Sequence, residues 1–337
     1  MQADADKGPT VWLHVGLPKC GSTAIQRRFA DHEARFAEQG LCYPKAHRTP
    51  DGYRSHRPLA WARAEGLPGM VSDIATEAQG ARAILISCED FANALPGGLA
   101  RPLVAALEAQ FGADNLRVIV YARNLFDLVE SAYAQFLLGG LFRLDRPSFF
   151  ANGAPSLRRF LDAFEAAKGF PLYALAGYAR LIQSTFGAQR VSFRSVEAQD
   201  LDHADLVEDL CAVMGIRPEG TAQRLNQRAD PGLIAAFQYA QTLIPAQQFD
   251  HVRDQFRAFR FSATSSAQAE RDPSLRTDAE LHAAMCARIA EDQETLAELF
   301  DTRIDGLVAD RWRPAETALA LDARAQAEVR AFMARLL

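Results

Sequence analysis

The sequence predicts an α/β protein, with a parallel sheet flanked by helices and a helical C-terminal region. Short apolar runs alternate with amphipathic helical patterns over the first two thirds of the chain. This alternation is typical of parallel strands covered by helices on both faces. From residue 231 onward the pattern is helical throughout. Near the N-terminus, a strand pattern leads into a glycine-bounded loop and then into a helix pattern, over residues 11–25.

The predicted strands are short continuous apolar runs, as expected where both faces of a sheet are buried. They lie at residues 11–15, 83–87, 116–121 and 189–193. The predicted helices of the first part lie at residues 22–39, 99–111, 125–138, 157–167, 175–186 and 205–214. The C-terminal helices are predicted at residues 231–244, 246–260, 277–301 and 315–336.

Residues 49–69 are interpreted as a polar surface loop with a short helix near 59–64, because DG, RP and LP pairs interrupt the stretch. A brief extended segment is predicted at residues 41–44. We predict a disordered N-terminus over residues 1–10 and an α/β core over residues 11–230. A helical region over residues 231–337 is expected to pack on that core.

Composition limits the class of protein. The 337 residues, 49% of them hydrophobic, suffice for a large core. A formal net charge of −5 argues against a general nucleic-acid binder. Five cysteines without framework spacing favour a reduced, cytoplasmic protein. No signal peptide is evident, and no apolar run reaches the ~18 residues that a membrane span requires. The oligomeric state cannot be read from the sequence.

The loop GLPKCGST at residues 16–23 joins the first predicted strand to the first predicted helix. Gly16 and Gly21 have the spacing of G-x-x-x-x-G-K-[ST], but Ser22 stands where an ATPase has its lysine, and the lysine here is Lys19. Ser22 and Thr23 are expected to cap or open the helix. Unpaired amide groups and the helix dipole make such a loop an anion site. The alternative interpretation is a structural strand–turn–helix corner.

Magnesium-dependent phosphoryl transfer needs acidic groups that hold the metal beside the phosphates. No strand of the sequence ends in a convincing Walker B aspartate. The sequence therefore favours a phosphate-like anion bound without a metal.

The run LHVGLPKCGSTAIQ resembles the 5′-phosphosulfate loop of sulfotransferases that use 3′-phosphoadenylyl sulfate (PAPS), and is most similar to their bacterial, glycan-type branch. The resemblance implies a P-loop-like fold over about residues 10–230. It also implies a cofactor loop formed by Pro18, Lys19, Cys20, Gly21, Ser22 and Thr23. The family pattern is G-x-P-K-[ST]-G-[ST]-[ST], so Cys20 replaces a hydroxyl residue. A nucleophilic role for Cys20 is disfavoured, because no histidine partner is evident.

A second motif follows the third predicted strand. Arg123 ends that strand and Ser131 comes eight residues later on a helix, which resembles the family's 3′-phosphate site. A guanidinium offers a planar fork of donors that suits a phosphate. The alternative is a surface arginine and a helix serine with no shared ligand. Residues 224–228 fall where relatives have a loop near the 3′ end of the cofactor, although an ordinary polar loop explains them equally well.

Sulfuryl transfer to a hydroxyl group needs a base for the acceptor proton. The segment ILISCEDF resembles the one that carries a glutamate base in glycan-type sulfotransferases, and it places Glu89 at that position. The alternatives are a structural carboxylate and a rival base, His56, because other branches use histidine. Lys19 and the loop amides would stabilise the leaving phosphate. His14, on the first strand, is expected to be a packed, hydrogen-bonded residue.

The resemblance implies a PAPS-dependent sulfotransferase that acts by in-line attack on a hydroxyl acceptor and needs no metal. A carbohydrate is the first expectation for the acceptor, ahead of a small metabolite or a lipid-linked sugar. Two alternatives stay open. One is a nucleotide-dependent kinase that uses the same loop, and the other is a non-catalytic protein of this fold that binds PAPS or 3′,5′-ADP. No nucleic-acid partner and no integral membrane segment are expected.

Overall fold

The computed structural model describes residues 8–50, 54–138, 144, 146–151, 155–169, 171–172, 174–201, 203, 205–221, 231–258, 279–308 and 321–337. The chain divides into two compact units. The first comprises Met1–Asn124, Leu175–Asn226 and Ala290–Ala309, and the second comprises Leu125–Ala174, Gln227–Ile289 and Asp310–Leu337. The predicted boundary near residue 230 stays a prediction.

The first unit is built on a sheet of five strands. They are β1 Thr10–Val15, β2 Leu41–Cys42, β3 Ala83–Cys88, β4 Leu116–Ala122 and β5 Val191–Ser195. The order across the sheet is β2-β3-β1-β4-β5, and every pairing is parallel. The predicted parallel sheet flanked by helices is confirmed. Because β1 is central, the segments that follow β3, β1 and β4 emerge side by side at one edge of the sheet.

The helices connect and cover these strands. In the first part of the chain they are α1 Ser22–Asp31, α2 Glu33–Glu38, α3 Arg57–Ala60, α4 Leu67–Glu77, α5 Phe91–Ala94, α6 Ala100–Phe111, α7 Leu125–Leu137, α8 Arg146–Ala151, α9 Leu157–Lys168, α10 Leu175–Phe186 and α11 Leu206–Met214. The C-terminal region adds α12 Pro231–Leu243, α13 Ala246–Ala258, α14 Ala279–Phe300, α15 Asp305–Val308 and α16 Ala323–Leu336. None of these helices combines the length and apolar character needed to cross a bilayer.

Helix α4 was not predicted, because Leu67-Pro68 was interpreted as a helix breaker. In the structure Pro68 lies in the first turn of α4. A proline at that position lacks an N–H that would have no helical partner anyway. Leu67, Val71 and Ile74 are fully buried along one face of this helix. Their spacing of four and three residues is the helical signal that the proline obscured.

Other boundaries differ from the predictions by local turns. The first predicted helix is interrupted at His32, where φ is −118° and ψ is 24°, so that α1 and α2 are separate. Residues Leu41–Cys42 of the predicted extended segment form an edge strand on β3. The fourth predicted strand begins two residues late, because Ala188–Arg190 form a 3₁₀ turn. The short helix predicted near 59–64 lies at Arg57–Ala60.

The second unit has a core of its own. Phe237, Phe249 and Phe256 pack edge to face, with ring centroids 4.8–5.6 Å apart. Tyr133 is fully buried and accepts a hydrogen bond of 2.6 Å from the Gln238 amide. Within its described residues, the second unit contains helices and no strand.

Candidate functional site

Three segments that carry predicted site residues meet at the carboxyl edge of the sheet. The loop 16–23 follows β1, Glu89 follows β3 and Arg123 follows β4. Arg123 Nη1 donates a hydrogen bond of 3.2 Å to the backbone oxygen of Lys19. The charges of Arg123 and Glu89 both act on the Lys19 ammonium. The structure therefore brings Lys19, Glu89 and Arg123 into one cluster.

The loop conformation requires both of its glycines. A Cβ atom on Gly16 would lie 2.3 Å from Ser22 Oγ, so only glycine lets the loop close against the start of α1. Gly21 has φ +79° in the left-handed region, and a Cβ there would lie 2.3 Å from Leu206 Cδ2. Lys19 also has a positive φ, of 70°. Two left-handed residues in so short a segment fold the backbone into a tight concave loop.

The loop presents backbone donors that the described protein does not use. Cys20 N donates to Leu17 O at 3.2 Å. In the part of the chain that the structure describes, the amide groups of Lys19, Gly21, Ser22 and Thr23 donate to no protein acceptor. Ser22 opens α1, but no side chain caps the helix, so the predicted capping by Ser22 or Thr23 is not found. The unused donors therefore lie where the positive end of the helix dipole is strongest.

The Ser22 hydroxyl is a further unused group. Its Oγ is buried and has no hydrogen-bond partner among the described residues. A buried hydroxyl without a partner costs free energy unless something else satisfies it. With the four free amides, this hydroxyl gives the loop the donors of an anion site.

The ammonium group of Lys19 is partly desolvated. Burial and, to a smaller extent, the nearby Arg123 cation lower its pKa to about 8, and the Glu89 carboxylate opposes both effects. At pH 7 the half-buried Lys19 ammonium is still mostly charged, and a charged donor of this kind forms a strong hydrogen bond to an anion.

The side chain of Cys20, within the loop, is fully buried. Burial raises the pKa of its thiol to about 12, with Arg123 lowering it and Glu197 raising it. Its Sγ lies 3.8 Å from Pro18 O. The thiol is therefore neutral at physiological pH and packs as a small residue, which agrees with the expectation that it is not a nucleophile.

Glu89 is held between a helix and a loop. Its Oε2 accepts a hydrogen bond of 2.8 Å from the Gln26 amide on α1. Its Oε1 lies 3.4 Å from Arg57 Nη2. The Glu89 side chain is 17% exposed, so that it can still meet a substrate.

His56, the rival base, has both ring nitrogens engaged with the backbone. Nε2 lies 3.1 Å from Pro44 O, and Nδ1 accepts a hydrogen bond of 3.2 Å from Ser87 N. The ring is fully buried, and burial lowers its pKa to about 4. The geometry describes a neutral histidine that ties two loops to β3 rather than a side chain that faces an acceptor.

His14 contacts the side chain of the same serine. Its Nδ1 lies 2.7 Å from Ser87 Oγ, and burial lowers its pKa to about 3. As expected, it is a packed and hydrogen-bonded residue.

Residues that sequence reasoning missed support this cluster. The Asn124 backbone N–H donates to Glu197 Oε1 at 3.2 Å, and its side-chain amide donates to the backbone oxygens of Gly306 and Leu307. A Cβ on Gly306 would lie 2.6 Å from Glu197 Cβ. Asn124 thus fixes the chain immediately after Arg123. No sequence signal identifies these contacts, because they join segments up to 183 residues apart.

Ser131 lies on α7, which belongs to the second unit, and it is half-buried. Its assignment to the 3′-phosphate site stays a prediction. The predicted loop at residues 224–228 lies outside the described residues. Across the described ranges, no group of three His, Cys, Asp or Glu side chains is placed to hold a metal ion.

Comparison with known proteins gives one structural likeness. The solved structure "Crystal Structure of Sulfotransferase from Alicyclobacillus acidocaldarius" is similar to this chain with a TM-score of 0.39 and 16% sequence identity. The match covers 72% of this chain and 98% of that one. No family model and no curated protein matches the chain. Similarity at this level does not establish membership of a family.

Proposed function

We propose that the protein is a PAPS-dependent sulfotransferase that transfers a sulfuryl group to a hydroxyl acceptor, with a carbohydrate as the acceptor class. One observation carries the proposal. The loop 16–23 offers four free amide groups beside Lys19 and Arg123, with the Glu89 carboxylate at the same edge of the sheet. Transfer from a phosphosulfate to a hydroxyl group requires an anion-binding site with cationic side chains next to a carboxylate.

The residues present fit the phosphosulfate donor. Its phosphate groups need N–H donors and cations, and the loop amides, Lys19, Arg123 and the unsatisfied Ser22 hydroxyl supply both. We assign Arg123 and Ser131 to the 3′-phosphate that distinguishes PAPS from ATP. When bound, PAPS supplies a sulfuryl group attached to a phosphate that leaves readily.

Glu89 is assigned as the base that accepts the proton of the acceptor hydroxyl. As the acceptor oxygen forms its bond to sulfur, the bond from sulfur to the donor phosphate breaks, and the Glu89 carboxylate, which Gln26 and Arg57 hold at its two oxygens, accepts the proton of the acceptor hydroxyl. Lys19 and the loop amides stabilise the negative charge that develops on the departing phosphate. We propose Glu89 rather than His56 as the base, because both nitrogens of His56 are occupied.

Calorimetric titration with 3′,5′-ADP, ATP and 5′-AMP, without and with Mg²⁺, tests the proposal. Wild type should bind 3′,5′-ADP most tightly and without the metal. Arg123→Ala should weaken this binding by about tenfold or more, because it removes a charged hydrogen-bond donor. Arg117→Ala is the matched control, because Arg117 lies at the opposite end of the same strand.

Preference for ATP with Mg²⁺ would instead support the kinase alternative. Indifference to the 3′-phosphate would also overturn the proposal. Tight binding of 3′,5′-ADP without sulfate transfer to any acceptor, and with no effect of Glu89→Gln, would support the non-catalytic alternative.

A further inference from the structure

An exposed tryptophan contacts the same arginine as the proposed base. Among the described residues, three large hydrophobic side chains are exposed, and Trp61 is the aromatic one, at 68%. The others are Leu243 and Leu337. Aromatic residues are enriched where ligands and partners dock, because they bury a large apolar area and present a polar edge. Trp61 follows directly after the short helix α3.

The indole is held in a defined orientation. The Arg57 guanidinium carbon lies 5.3 Å from the centroid of the Trp61 ring, within the range of a cation–π contact. Arg57 Nε in turn lies 2.9 Å from Asp90 Oδ2. The aromatic surface is therefore ordered before any ligand arrives, which reduces the entropy cost of binding.

The same arginine connects the tryptophan to Glu89. Arg57 Nη2 lies 3.4 Å from Glu89 Oε1, while the guanidinium contacts the Trp61 ring. One side chain thus spans the aromatic surface and the carboxylate that we assign as the base. A molecule resting on Trp61 lies next to the group that would take its hydroxyl proton.

We propose that Trp61, Arg57 and Asp90 form the acceptor subsite, with Trp61 as the stacking platform for a sugar ring of an uncharged carbohydrate. This inference rests on the proposed sulfotransferase function. A pyranose ring has an apolar C–H face that suits an indole, and an edge of hydroxyl groups. The Asp90 carboxylate accepts hydrogen bonds from such hydroxyls and the Arg57 guanidinium donates to them.

The charges around the platform favour an uncharged sugar. Glu89 and Asp90 supply two carboxylates against the single guanidinium of Arg57. The two cations beside Glu89, Lys19 and Arg123, are assigned to the phosphate groups of the cofactor, so that an acidic glycan meets excess negative charge once the cofactor is bound.

Three basic residues of the segment before α3 each have a carboxylate partner. Lys45 and Arg48 pair with Glu33 at 2.6 and 3.2 Å, and Arg54 lies 3.7 Å from Asp31. Lys45, Arg48 and Arg54 therefore do not form a free cationic patch.

Fluorine NMR of protein labelled with 5-fluorotryptophan tests the platform directly. The chain has three tryptophans, and the Trp61 signal is assigned as the one missing in Trp61→Phe. The labelled protein, with 3′,5′-ADP present, is titrated with cellohexaose, chitohexaose and maltohexaose. A hyaluronan hexasaccharide serves as the acidic comparison and p-nitrophenol as the planar one.

At least one neutral hexasaccharide should move the Trp61 signal saturably. Calorimetric titration with this hexasaccharide compares the variants, because they lack the Trp61 signal. Trp61→Ala should weaken its binding about tenfold or more, as loss of an aromatic anchor does, and Trp61→Phe should recover part of the loss. Leu243→Ala, at another exposed apolar residue, should change nothing. The affinity of Trp61→Ala for 3′,5′-ADP should equal that of wild type.

The inference is overturned if no neutral hexasaccharide moves the Trp61 signal, or if Trp61→Ala binds the sugar as well as wild type does. Tighter binding of the hyaluronan fragment or of p-nitrophenol would also overturn it. Calorimetry with 3′,5′-ADP separates the two proposals. Failure of wild type to bind 3′,5′-ADP counts against the sulfotransferase function, whereas normal 3′,5′-ADP binding without sugar binding counts against the platform alone.

Discussion

The side-chain amide of Gln26 donates a hydrogen bond of 2.8 Å to Glu89 Oε2, and so joins α1 to the segment that follows β3. Gln26 is fully buried, and its Nε2 also lies 3.4 Å from Ser87 Oγ. The helix whose N-terminus forms the anion site therefore also orients the carboxylate. The loop that we propose for the cofactor and the carboxylate that we propose as the base are thus connected through α1, as precise catalytic geometry requires.

Gln26→Leu should lower the rate of sulfate transfer by about tenfold or more, because Glu89 loses the bond that orients it. The affinity for 3′,5′-ADP should change little. Formation of 3′,5′-ADP from PAPS, in the presence of a hexasaccharide that binds, measures the rate. Gln39→Leu is the matched control, because Gln39 bonds to Arg217 and Glu219 away from this edge. Equal rates for the two variants would contradict the positioning role of Gln26.

Binding of 3′,5′-ADP should weaken above pH 8. Burial first, and then Arg123, lower the pKa of Lys19 to about 8, so that the free protein loses this positive charge as the pH rises through 8. If the ammonium binds a phosphate, the dissociation constant should rise about tenfold between pH 7 and 9. Calorimetric titration at the two pH values measures the change.

Lys19→Arg provides the control, because a guanidinium stays charged at both pH values. Its affinity should depend less on pH than that of wild type, while Lys19→Met should bind weakly at pH 7 and 9 alike. A wild-type affinity that is equal at the two pH values would show that the Lys19 ammonium does not contact the bound anion.

The sequence was sufficient to predict the parallel sheet and the loop, because both depend on local patterns. Gly16 and Gly21 are needed for the loop backbone itself, and the strands are continuous apolar runs. The buried environment of His56 could not be predicted from the sequence, because burial arises from packing between distant segments. The hydrogen bond between Gln26 and Glu89 could not be predicted either, because it joins residues 63 positions apart. Gln26 is nevertheless the last residue of the run that resembles the phosphosulfate loop.

Acid should destabilise the fold below pH 6.5. Burial lowers the pKa of His14 to about 3 and that of His56 to about 4, whereas both histidines titrate near 6.5 when unfolded. The unfolded state therefore binds more protons below pH 6.5, and stability falls as the pH drops toward 4. Each histidine should cost about 2 kcal/mol of unfolding free energy between pH 7.5 and 5. Urea unfolding at the two pH values measures the loss.

His56→Gln isolates one of the two contributions. Glutamine keeps one donor and one acceptor for Pro44 O and Ser87 N but does not titrate. The decrease in unfolding free energy between pH 7.5 and 5 that is due to the histidines should be about half as large in this variant as in wild type. An unchanged pH dependence would mean that His56 is not the neutral, buried group that the structure shows.

A buried carboxylate should contribute strongly to the stability of the first unit. Asp209 on α11 is fully buried, accepts a hydrogen bond of 2.7 Å from Tyr121 Oη and pairs with Arg194 through both of its oxygens. Asp209→Ala leaves a buried phenol and a guanidinium without their acceptor, which should cost about 3–5 kcal/mol of unfolding free energy. Asp209→Asn should cost less, because its carbonyl oxygen still accepts. Asp73→Ala is the control, at an exposed contact 2.9 Å from His47 Nε2, and should cost under about 1 kcal/mol. Urea unfolding of the three variants ranks them, and a cost for Asp209→Ala no larger than that for Asp73→Ala would show that the network does not stabilise the strand ends β4 and β5.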